Sequence, residues 1–135
     1  MKKFTLLPLA LALHLGGASA GVVVIGHAGL PKLDGATVQK VFTGKTIEVG
    51  GIAVTAINAP PGSAARNHFL QTYLNQDEEK YTAYWTVRRY IGKGAPPREL
   101  ASGAEVIGAV QATPGTIGYI DEGDLKPGLN VLIKK

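Results

Sequence analysis

A mixed α/β layer, with helices packed on a small sheet, is the fold class this 135-residue sequence predicts. Three observations point to it. Val22 to Ile25 is an unbroken β-branched run, the pattern of a buried strand. Ser63, Asp77 and Ser102 each precede apolar residues at helical spacing, as helix starts do. Short β-rich runs then return at Thr116–Ile120 and Leu129–Ile133, so strands and helices are interleaved.

The first twenty residues read as an export signal. Lys2 and Lys3 begin it, an apolar stretch from Phe4 to Leu15 follows, and Ala18-Ser19-Ala20 is the small-x-small pattern that precedes cleavage. The apolar stretch is short for a bilayer span. The expected mature domain is 21–135, and its expected location is the periplasm or the medium after cleavage near Ala20-Gly21. Removing Lys2 and Lys3 from 14 basic residues leaves 12 against 10 acidic ones. That small excess argues against a dedicated nucleic-acid binder. The sequence has no cysteine, which excludes disulfides, cysteinyl metal sites and cysteine nucleophiles.

Gly26 to Pro31 reads as a loop, Asp34-Gly35 as a turn, and Thr37 to Phe42 as a short helix stopped by Gly44. Thr46–Val49 and Ile52–Ile57 flank Gly50-Gly51 and read as a hairpin. Ser63 caps a helix whose stripe is Phe69, Leu70, Tyr73 and Leu74. Asp77 opens another, with Glu78 and Glu79 at its start, Arg88 and Arg89 at its end, and Tyr81, Tyr84, Trp85 and Ile91 at core spacing. Gly94 to Arg98 is a loop. Ser102-Gly103-Ala104-Glu105 is a capping box, and Pro114-Gly115 closes its helix. Asp121 to Asp124 is a polar turn.

The segment from Asn58 to Arg66 is the candidate site. It leaves a strand and enters a helix, whose first N–H groups have no partner in the helix and carry its positive dipole end. Gly62 lets a ligand approach the backbone. Ser63 offers a hydroxyl or a cap, the amide of Ala64 belongs to the same turn, and Arg66 adds a cation that opposes the dipole unless an anion or carboxylate meets it. Gly62, Ser63, Ala64 and Arg66 are therefore the expected anion contacts, with Arg66 facing an anion beside Ser63. The alternatives for Arg66 are an acidic partner elsewhere in the chain or a solvent-facing head.

Other candidates have plainer readings. His27 and His68 lack the spacing of a metal set. Ser63 has no Gly-x-Ser-x-Gly context and no carboxylate pair stands out, so no catalytic residue and no cofactor is expected. Tyr81, Tyr84, Trp85, Arg88, Arg89, Tyr90 and Lys93 could form a stacking platform for nucleic acid, but their spacing is that of a core face. Lys93 and Arg98 flank a loop rich in glycine and proline.

Several segments in order resemble the second lobe of the phosphate-binding proteins of phosphate ABC transporters, and their short stand-alone substrate-binding-like relatives. They are Leu33-Asp34-Gly35, Phe42-Thr43-Gly44-Lys45, Val54 to Ile57 leading to Gly62-Ser63 with Arg66 and Phe69, Tyr84-Trp85, Gly92-Lys93-Gly94 with Pro96-Pro97-Arg98, and Thr113 to Ile120. The resemblance implies a single lobe of a type II periplasmic binding protein-like fold, a mixed sheet flanked by helices. It implies that the Gly62-Ser63 turn holds phosphate or a related oxyanion, in association with phosphate transport or sensing. The family pattern has arginine, aspartate, glycine and threonine where this chain has Ala59, Pro61, Ala64 and Ala65. Since such proteins trap ligand between two lobes, one lobe calls for a homodimer or a partner, such as an envelope transporter or sensor, to close the site. The alternative is an accessory protein of the envelope that keeps the lobe and has lost the ligand.

Overall fold

The computed structural model describes residues 21–135, so the expected signal segment lies outside the described residues. Five strands form the main sheet in the order β5-β4-β6-β1-β7. They are β1 (Val22–Gly26), β4 (Thr55–Asn58), β5 (Arg98–Glu99), β6 (Thr116–Asp121) and β7 (Asn130–Lys134). β4 runs parallel to both β5 and β6, while β1 runs antiparallel to β6 and β7. A separate hairpin pairs β2 (Glu48–Val49) with β3 (Ile52–Ala53).

The period of two along the strands sends alternate side chains to opposite faces. Val22, Val24, Ile117, Tyr119 and Leu132 enter a cluster rich in aromatic residues. This cluster is covered by α1 (Gly35–Phe42), by α2 (Ala64–Phe69) with its continuation, and by α3 (Glu78–Tyr90). Val23, Ile25, Ile57 and Ile120 enter an aliphatic cluster under α4 (Gly103–Ala112). A Cβ at Gly118 would lie 2.6 Å from Val106 Cγ1, so the missing side chain lets α4 approach the sheet closely. In the aromatic cluster the rings of Phe69 and Tyr119 stack at 4.0 Å.

Several sequence expectations need correction. The run Ile52–Ile57 is two strands, because the chain changes sheets at Val54. The Val54 amide bonds the Ile47 carbonyl at 2.9 Å, while the Thr55 amide turns to Gly115 at 2.9 Å and starts β4. The Asp34-Gly35 turn is the start of α1: Asp34 Oδ1 accepts from the Thr37 amide at 2.8 Å. The helix capped by Ser63 widens into a π-helical turn at Leu70–Leu74 and stops at Asn75 in the left-handed region. The loop expected to run through Arg98 ends in the edge strand β5, which only pairing with β4 could reveal. Ile91 is 56% exposed, although its spacing put it on the core stripe with Tyr81 and Trp85, which are buried. The 121–124 turn contains a 3-10 turn at Glu122–Asp124.

Candidate functional site

β4, β5 and β6 are parallel, so their carboxyl ends, Asn58, Glu99 and Asp121, lie along one edge of the sheet. In open α/β sheets ligands bind beyond that edge. Each strand leads into a polar segment there: β4 into the Ser63 turn, β5 into the Ser102 turn, and β6 into Glu122–Asp124.

A buried network fixes the first segment. The Asn58 side chain donates to the Tyr81 hydroxyl at 3.0 Å and accepts from the Tyr119 hydroxyl at 2.7 Å. Tyr81 donates onward to the Phe42 carbonyl, and Tyr119 accepts from the Ala59 amide at 2.9 Å. Every polar atom in this chain of bonds is partnered, as burial demands. Burial pushes the phenols of Tyr81 and Tyr119 above their ordinary pKa. The network presents the Ala59-Pro60 backbone to the turn that follows.

In that turn Gly62 has φ +85°, a conformation that favours glycine. Ser63 is the N-cap. Its hydroxyl donates to the Pro60 carbonyl at 2.7 Å and accepts from the Arg66 amide at 3.3 Å. The hydroxyl is thus used within the turn. The amides of Ala64 and Ala65 are the first-turn donors that have no partner in their own helix.

Arg66 corrects the expectation made for it. Its side chain is buried, and it faces two carboxylates of the chain instead of a free anion. Nε and Nη2 bind the two oxygens of Glu78 at 2.8 and 2.7 Å, a bidentate pair. Nη1 reaches Glu99 at 3.1 Å and the Ala59 carbonyl at 3.2 Å. The Tyr81 ring lies beneath it, 5.2 Å from ring centroid to Cζ. Burial pulls the guanidinium pKa down, and the hydrogen bonds and charge of Glu78 more than offset this, leaving it above its ordinary value. The signal was in the sequence: a cation in a first helical turn needs a negative partner. Which carboxylates supply it depends on packing α3 and β5 beside α2.

Sequence reasoning missed the opposite wall. Ser102 caps α4, with its hydroxyl accepting from the Glu105 amide at 3.2 Å, while Glu105 reaches back to the Ala101 amide at 2.9 Å. The capping box was legible, but its position beside Ser63 was not. The starts of α2 and α4 face one another across a recess of about 230 Å³. Ser63, Ala64 and Ala65 form one wall, and Ser102 and Gly103 form the other. Tyr119 also lines it, together with Asp121 and Asp124. Asp124 lies close over the start of α4, where a Cβ at Gly103 would be 2.6 Å from its Oδ2. Among the described residues, those lining the recess include no lysine or arginine.

The other candidates are placed elsewhere. His27 Nδ1 lies 3.0 Å from the Val110 carbonyl, and His68 is exposed on α2. Among the described residues no group of three metal-ligating side chains is assembled, and no helix is long and apolar enough to cross a membrane. Lys93 and Arg98 are exposed.

No protein-family model matches the chain, and no curated protein matches it. Solved structures do. PstS from Borrelia burgdorferi superposes with a TM-score of 0.61 at 18% identity, over 84% of this chain and 46% of that one. An ABC-type phosphate transport receptor from Vibrio cholerae gives 0.58 at 10% identity, over 84% and 45%. A putative phosphate ABC transporter substrate-binding protein with bound phosphate, from Clostridium perfringens, gives 0.55 at 16%, over 84% and 44%. The chain therefore has the fold of part of a phosphate-transporter binding protein, and it spans less than half the length of these structures.

Proposed function

We propose that this chain is an exported solute-binding-like lobe that recognises phosphate or a related oxyanion in the recess between the starts of α2 and α4, in association with phosphate transport or sensing. One observation carries the reading: two capped helix starts open on the same recess at the carboxyl edge of parallel strands. Their first-turn amides and dipoles favour negative charge. The similarity to phosphate-binding proteins supports the same chemistry.

The recess also limits the affinity and shapes the preference. Arg66 is held by Glu78 and Glu99, so no guanidinium clamps the ligand. Asp121 and Asp124 repel a fully ionised anion but accept a hydrogen bond from a protonated one. Hydrogen phosphate has such a proton, and sulfate at neutral pH does not. The open face lets water compete for every bond. Binding is weak and selective for phosphate unless a partner closes the recess.

The test is a thermal-unfolding series of the protein with phosphate and with sulfate at matched ionic strength. A ligand at a hundred times its dissociation constant stabilises by about 2.7 kcal/mol. A rise in melting temperature with phosphate and a smaller one with sulfate is expected. Equal shifts, or none at millimolar phosphate, would overturn the reading.

A second reading is favoured by a different surface. Val87, Tyr90 and Ile91 are exposed at spacings of three and four on the last turns of α3, with Arg89 and Lys93 beside them in sequence. If anions produce no shift, an accessory envelope protein docking through this face becomes the better account.

A further inference from the structure

The seat of Gly21 lies apart from the recess. Its amide donates to Glu122 Oε1 at 3.2 Å, and its carbonyl accepts from the Glu122 amide at 2.9 Å. The other Glu122 oxygen holds Lys134 Nζ at 2.8 Å. A Cβ at position 21 would run into the Lys135 backbone carbonyl, so a glycine fits here and a larger residue would be pushed off. The small-x-small motif of residues 18–20 ends at the bond just before this seat.

With cleavage at Ala20–Gly21, the bond the sequence motif marks, as its premise, we propose that the α-ammonium group so released docks on Glu122, making residue 122 the anchor of the mature N-terminus. The cleavage is hydrolysis by a signal-peptidase-type enzyme. One water is added, Ala20 leaves as a carboxylate, and the Gly21 nitrogen takes up a proton to become ammonium. The existing N–H bond to Glu122 then becomes charge-assisted, which strengthens it. Glu122 favours the ammonium form, and Lys134 opposes it from the far oxygen of the same carboxylate. Lys135 is adjacent through its backbone, where the α-carboxylate of this 135-residue chain adds a second negative charge beside the ammonium, while its side-chain ammonium lies over the Tyr73 ring. The Glu122 carboxyl is held below its ordinary pKa by Lys134 and by the Gly21 amide, so the acceptor is ionised at neutral pH. This device stands whether or not the recess binds an anion.

The experiment exports the full chain from a Gram-negative host and reads the intact mass and N-terminal residue of the periplasmic product. The α-amino pKa of that product is then followed by NMR. A start at Gly21 is expected, with the amine titrating about half a unit above its ordinary 7.7–8.0. In Glu122→Gln the pKa falls below that of the wild type, because the anchoring charge is lost and that of Lys134 remains. Gly21→Ala is expected to be cleaved at the same bond but to lose the elevation, because the terminus leaves its seat. A start at another residue overturns the processing site. Equal pKa values in the wild type and Glu122→Gln overturn the anchor.

Discussion

Two neighbouring regions share the polar groups at the carboxyl edge of the sheet and use them in opposite ways. Around Arg66 the groups satisfy one another. The guanidinium has Glu78, Glu99 and the Ala59 carbonyl, and the Asn58 amide has Tyr81 and Tyr119. Around Ser63 and Ser102 the hydroxyls are spent as caps, while the two helix starts border a recess with two aspartates. Arg66 lies only three residues beyond Ser63. The contrast teaches that a cation near a helix start in sequence need not serve that start. Once buried, a guanidinium must find carboxylates, because an unpaired buried charge costs several kcal/mol. The recess is left with helix starts and two aspartates, and with no share in that guanidinium.

The largest expected effect breaks the closed region by pH. Burial raises the pKa of Tyr73, Tyr81 and Tyr119 in the folded protein. A raised pKa stabilises fully below the unfolded value, near 10, and that stability is lost as pH climbs towards the folded value, because the unfolded chain releases the protons first. Stability should hold to about pH 9 and then fall by up to about 1.4 kcal/mol per pH unit for each tyrosine. Urea unfolding from pH 8 to 11 checks this, and a flat profile would mean the network is open to water.

Next comes Glu78→Ala. Removing the bidentate partner leaves Arg66, whose side chain is 5% exposed, with Glu99 and the Ala59 carbonyl and should cost about 2 kcal/mol. Arg66→Met should cost distinctly less, since Glu78 and Glu99 are 29% and 44% exposed and water can take over their hydration. Equal losses from the two variants would contradict a closed, desolvated cation.

The smallest effect sharpens the open region. Asp124→Asn removes a negative charge from the start of α4 and should change stability by less than about 1 kcal/mol. It should strengthen sulfate binding several-fold and phosphate binding less, narrowing the selectivity. Calorimetric titration of both anions reads the change.

Local patterns made much of the fold legible. The caps at Ser63, Asp77 and Ser102, the buried run of β1 and the strand β6 all depend on short-range sterics and hydrogen bonds that a few adjacent residues determine. The edge strand β5 was illegible because two residues in a loop rich in glycine and proline become a strand only when β4 supplies the partner. Ile91 was misplaced because periodicity does not say where a helix outruns the layer that covers it. Of the candidate site, the Gly62 turn and the Ser63 cap could be read directly, but the facing wall at Ser102 and Gly103 could not.

Neighbours along the chain set the helix caps, the glycine turns, the alternation of the inner strands and the need of Arg66 for negative charge, since each arises over a few adjacent residues. Packing of the layers selected which carboxylates answer that need, which two helix starts face each other, and which stripe is left in water. Those depend on contacts between residues distant in sequence, and each is settled by the free energy of packing the layers together rather than by any local preference.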